Sequence, residues 1–137
     1  MREGVFVDNC KIIVIFAKNL IHYHGMNRKQ EYLNKIVDIC VKCCGYALSN
    51  GKLSITREDI LGKNRNENVV MTRCIAVSMM LQAGFSVTTC SEFMSRTAPA
   101  IRHMIQLDRQ LSHTSKVYRI ASREAVRECR EMKEEDE

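Results

Sequence analysis

The sequence predicts an all-α domain of four to six helices, and three observations lead there. The 137-residue chain holds one proline, six glycines and no tryptophan. Its β-branched residues are scattered, without the period-two alternation of half-buried strands. Apolar residues, 45% of the chain, recur instead at three- and four-residue steps, and at this length they suffice for one hydrophobic core. A single domain is expected over residues 26–130, with an extension on either side.

Residues 1–25 form one apolar run ending in IHYHG, with weak helical periodicity, and Gly25 breaks it. The run reads either as a docking or dimerisation segment, because an exposed apolar patch seeks a partner, or as a cap on the helical core. Met26 is an alternative start of the chain. Asp8, Lys11 and Lys18 interrupt VFVDNCKIIVIFAKNLI, no clean small-residue cleavage site follows it, and it is too short to cross a bilayer. Neither secretion nor a membrane is expected.

From Met26, NRKQEYLNKIVDICVKCC reads as an amphipathic helix, with Tyr32 or Leu33, Ile36, Ile39 or Cys40, and Cys43 on its inner stripe. GYALSNGKLS is a loop rich in Gly, Ser and Asn. In ITREDILGKN, Thr56 is the N-cap of a short helix, Asp59 completes a capping box at its third position, and Gly62 is the stop. RNENVVMTRCIAVSMMLQAG is a longer helix with Val70, Cys74, Val77 and Leu81 as its buried stripe and Gly84 as its close. SVTTCSEFM makes about two helical turns, capped by Ser86 or Thr88. A turn of about three residues leads to TAPAIRHMIQLDRQL. There Thr97 is the N-cap, and Pro99 falls at the second helical position, where the N–H that proline lacks has no partner to lose. In the last helix, TSKVYRIASREAVRECREM, the expected core contacts are Val117, Ile120, Ala121 and Val126. Residues 131–137 read as an acidic, disordered tail.

The charge is distributed unevenly. Formal net charge is +5, but the last seven residues, EMKEEDE, contribute −4, which leaves +9 for the first 130. A basic body with an acidic tail suggests a polyanionic partner. The seven cysteines are an odd number and read as reduced thiols of a cytoplasmic protein. CVKCC, with Cys10, His22 and His24, raises the question of zinc. One Cys-x-x-Cys pair inside a helix lacks the second pair a structural site needs, and histidines two apart do not share a helix face. Small core residues are the plainer reading, so no metal or cofactor is expected. No enzyme is expected either: Glu58–Asp59 and Asp108 with His103 are acid–base candidates without a third group to complete them.

A two-turn helix, a tight turn and a longer basic helix make a helix-turn-helix pattern, whose second helix is the reader. On a helical projection Ile101, Met104, Ile105 and Leu111 share one side. Pro99, Arg102, His103 and Gln106 share the other, able to donate to base edges and phosphates. Residues 32–127 resemble the C-terminal DNA-binding domain of the bacterial replication initiator DnaA, with its Trp-repressor-like helix-turn-helix. Three pieces carry the resemblance. ITREDILGKNRNENVVMTRCIA matches on Ile60, Leu61, Lys63, Arg65, Arg73, Ile75 and Ala76. GFSVTTCSEFM matches the first helix of the pair. MSRTAPAIRHMI matches the family signature on Arg96, Ile101 and His103, with Ser95 at the family's glycine.

The resemblance implies a double-stranded DNA-binding protein, sequence-specific in its family and serving replication or its regulation. Lys63 and Arg65 would be backbone contacts, Arg73 would reach DNA from the long helix, and Arg96 would lie beside the reader. The amino ends of the two helices, with Ser86, Thr88, Thr97 and Pro99, complete the expected face with Arg102 and His103. The signature's Asp-His pair is Thr97-Ala98 here, and its two hydroxyl residues are Pro99-Ala100. The family's site specificity therefore does not carry over. No phosphate loop accompanies the helical segment and the length leaves no room for an ATPase module, so a stand-alone DNA-binding domain is expected. The alternative is a degenerate helix-turn-helix that binds a protein partner, with residues 1–25 as the docking segment.

Overall fold

The computed structural model describes residues 28–44 and 55–136, with side chains through Met132, and these residues are helical with no strand. The helices are α1 (28–44), α2 (Arg57–Leu61), α3 (Glu67–Gln82), α4 (Val87–Met94), α5 (Ala98–Thr114) and α6 (Lys116–Asp136). The extension 1–25 and the predicted loop GYALSNGKLS lie outside the described residues.

Local signals set the helix ends. Thr56 accepts the Asp59 N–H, and the Asp59 carboxylate accepts the Thr56 N–H at 3.1 Å, closing the predicted capping box. A Cβ on Gly62 would meet the Glu58 carbonyl oxygen at 2.6 Å, so this stop position excludes larger residues. Asn66 caps α3. At the end of α3, Gly84 adopts φ 102°, while its N–H donates to Leu81 and that of Phe85 to Met80, two bonds that satisfy carbonyls left open by the last turn. Ser115 both ends α5, donating its N–H to Leu111, and starts α6, accepting the Tyr118 N–H on its hydroxyl. Arg119 donates to the Ser112 carbonyl at 3.0 Å and so covers the end of α5.

Helix α3 is the axis of the fold, packed against α2, α4, α5 and α6. Val69, Thr72, Arg73, Cys74, Ile75, Ala76, Val77, Met79 and Met80 are all buried. The predicted stripe is thus too narrow: Cys74 and Val77 are inside, but Val70 and Leu81 are only half-buried. Helix α3 is enclosed over most of its circumference and keeps one partly exposed side, with Glu67, Val70, Met71, Ser78, Leu81 and Gln82, so its buried residues spread well beyond a single stripe.

Helix α1 lies over this core. Tyr32 meets Phe85 edge to face with ring centroids 5.8 Å apart. Arg57 of α2 pairs with Asp38 at 2.6 Å, and Lys42 pairs with Glu128 of α6 at 3.1 Å. The inner stripe is Tyr32, Leu33, Ile36, Val37, Cys40 and Cys44, so Cys44 replaces the expected Cys43, which is half-buried. On α6 the buried residues are Tyr118, Ala121, Ala125 and Cys129, while Val117 and Ile120 are each 45% exposed. Those two expected core contacts are corrected: large Tyr118 occupies the core there, and small Ala121 and Ala125 let α6 approach closely. Helix α6 continues through Asp136, into the segment expected to be a disordered acidic tail.

The cysteines serve packing. Cys40, Cys44 and Cys129 are buried near one another between α1 and α6. Burial pushes the Cys44 thiol up to about 12 and that of Cys129 to about 11. Among the described residues no group of three or more His, Cys, Asp or Glu side chains could hold a metal ion. No described helix is long and apolar enough to cross a membrane.

Candidate nucleic-acid interface

The α4–turn–α5 segment is fixed at both of its corners. At the end of α4, the Ser95 N–H donates to Glu92 and the Arg96 N–H to Ser91, with Ser95 in the left-handed region at φ 55°. This is the same paired closure that Gly84 makes, here built on a residue with a Cβ. Thr97 then caps α5, accepting the Ala100 N–H at 3.2 Å. Pro99 falls in the first turn as predicted, so its ring breaks no helical bond. Ser86 caps α4: its hydroxyl accepts the Thr89 N–H at 3.1 Å, and Thr88 is exposed in the first turn.

One side of α5 is open along its length. Pro99, Arg102, His103, Gln106, Arg109, Gln110 and His113 are all exposed. At 100° per residue these seven positions fan over about 120°, and they extend for about 21 Å along the axis. None of them is acidic. The face predicted from sequence covers Pro99, Arg102, His103 and Gln106. Arg109, Gln110 and His113 extend the face by two turns, and the same helical projection carried further would have found them.

The acid of this helix lies opposite. Asp108 projects about 160° from the centre of the stripe. It is half-buried and accepts a hydrogen bond from the Tyr118 hydroxyl at 2.5 Å. Burial and this carboxylate both push the Tyr118 hydroxyl well above its ordinary range. Asp108 therefore joins α5 to α6 and leaves the exposed face free of negative charge. Asp59 is likewise engaged, by the Thr56 backbone and by Asn64, which hold its carboxyl below the usual range.

The basic residues preceding the turn divide into two kinds. Lys63 and Arg65 are exposed in the loop between α2 and α3. Arg73, expected to reach DNA from α3, is 6% exposed and turned inward. Its guanidinium donates to the carbonyls of Ile60 at 2.9 Å, Asp59 at 2.8 Å, Asn64 at 3.0 Å and Gly62 at 3.3 Å. Arg96 is half-buried and donates to Met94 at 3.0 Å and also to the Gly62 carbonyl. Burial lowers both guanidinium pKa values, and at Arg73 the charge of Arg96 lowers it further. With its guanidinium enclosed among these carbonyls, Arg73 braces the α2–α3 loop and does not lie on the surface where a contact was expected.

Comparison with protein-family models, with curated proteins and with solved structures finds no match for this chain.

Proposed function

We propose that this protein binds double-stranded DNA, with α5 as its reading helix, and performs no chemistry. The observation that carries the proposal is the exposed side of α5, seven positions with donors and cations and without an acid. A helix of this width fits the major groove, where Arg suits guanine and Gln suits adenine in bidentate pairs. Arg102 and Arg109 then favour guanine, while Gln106 and Gln110, one turn apart, favour adenine. Lys63, Arg65 and the amino ends of α4 and α5, with Ser86, Thr88 and Thr97, face phosphates and set the register. The resemblance of residues 32–127 to the DnaA C-terminal domain supports this reading and points to replication or its regulation in the cytoplasm. With Ala98 and Ala100 at two of the family's polar reading positions, base readout moves toward the middle of α5.

The test is a mobility shift on random duplex at low salt, followed by selection of bound sequences. Lys63, Arg65, Arg102 and Arg109 together displace about four counterions, which gives a log–log salt slope near −4. A flat salt dependence, or no shifted duplex at low salt, refutes the proposal.

A second reading is favoured by Val117 and Ile120, which α6 exposes one turn apart beyond the core. On that reading the helix-turn-helix is degenerate and binds a protein partner, with residues 1–25 taking part. Deleting residues 1–25 distinguishes the two: loss of a captured protein with duplex binding intact separates docking from DNA recognition.

A further inference from the structure

Two arginines converge on one loop. The Gly62 carbonyl accepts from Arg73 of α3 and from Arg96, the residue before the α5 N-cap. The rest of the loop is braced as well. Arg73 also holds the carbonyls of Asp59, Ile60 and Asn64. The Asn64 amide donates to Asp59 at 3.1 Å, and its oxygen accepts the Asn66 N–H at 2.8 Å. Lys63 and Arg65, between these tethered residues, remain exposed.

Both guanidiniums donate to backbone carbonyls, at a point where two like charges lie close together. We propose that Arg73 and Arg96 are positioning residues: they fix the Lys63–Arg65 loop at a set offset from α5, so that loop and helix meet DNA as one rigid surface. This rests on the DNA-binding reading and deepens it. Arg96 is the link between the halves, since it spans from the start of the reading helix to a loop 34 residues earlier. Holding the two basic side chains in place before binding removes ordering cost at the moment of contact.

The experiment is a double-mutant cycle on the full chain. Arg96→Gln is measured alone and in a Lys63→Ala/Arg65→Ala background, by duplex affinity across salt, with thermal melting as the folding control. A positioning residue costs about tenfold in affinity alone. It moves the salt slope toward that of the loop variant and costs less than about twofold once Lys63 and Arg65 are gone. Equal losses in both backgrounds mean that Arg96 touches DNA itself, and no loss in either means that the tether is irrelevant; each overturns the proposal. Hydrogen exchange of the Lys63–Asn66 amides in free protein reads the tether independently of DNA, and Arg96→Gln accelerates it if the tether holds the loop. If exchange is unchanged, the positioning role falls even where DNA binding stands. If the parent shifts no duplex, the DNA reading falls and takes this role with it. Arg73→Lys, which keeps the charge and loses the fork, serves as a second probe with the same signs.

Discussion

Replacing Ser95 by glycine should make this protein more stable. Ser95 closes α4 at φ 55° and ψ 48°, where a Cβ crowds the following carbonyl. That conformation costs an L residue about 1–2 kcal/mol. Glycine avoids the crowding, but its freer unfolded chain takes back about 0.4–1 kcal/mol. Ser95 is exposed, and its hydroxyl makes no hydrogen bond among the described residues, so little is lost with the side chain. The net gain is about 0.5–1 kcal/mol, or a Tm rise of about 2–4 °C at this chain length. Urea denaturation should show a higher midpoint with an unchanged m-value. Gly84→Ala is the mirror experiment, because Gly84 closes α3 with the same bond pair at φ 102°. By the same balance it should lose at least about 0.5–1 kcal/mol. If Ser95→Gly leaves stability unchanged or lowers it while Gly84→Ala behaves as expected, the account of the α4–α5 turn is wrong.

Two further outcomes are expected. Tyr118→Phe removes the hydroxyl that Asp108 accepts from and should cost about 1.5 kcal/mol in denaturant titration, the low end for a charged partner because half-exposed Asp108 can take water instead; Asp108→Ala combined with it should add less than the sum. Burial raises the thiol pKa of Cys44 and Cys74 to about 12 and of Cys90 and Cys129 to about 11, so these groups favour the fold below the unfolded-chain thiol pKa of about 8.5 and lose that contribution as pH rises toward their folded values. Stability should therefore decline between about pH 9 and 11, by up to about 1.4 kcal/mol per pH unit for each thiol, and an alanine in place of Cys129 should reduce that slope in a pH series of melts.

Sequence by itself determined what depends on neighbours three or four positions apart. The Thr56–Asp59 capping box, the stops at Gly62 and Gly84, the Thr97 cap with Pro99 in the first turn, and the polar side of α5 all follow from such short-range relations, and the structure contains each of them. Only the tertiary structure decided what depends on enclosure and on partners far along the chain. It enclosed most of the circumference of α3, turned Val117 and Ile120 outward in favour of Tyr118 and small Ala121, and paired Asp108 with Tyr118. It also drew Arg73 and Arg96 onto the Gly62 carbonyl. In sequence an arginine in a basic region is a donor without an address. Its partner here is a backbone oxygen, which every residue has, so no pattern of side chains marks it. The address is set when packing α2, α3 and α5 together leaves carbonyls that only a long, forked donor can reach.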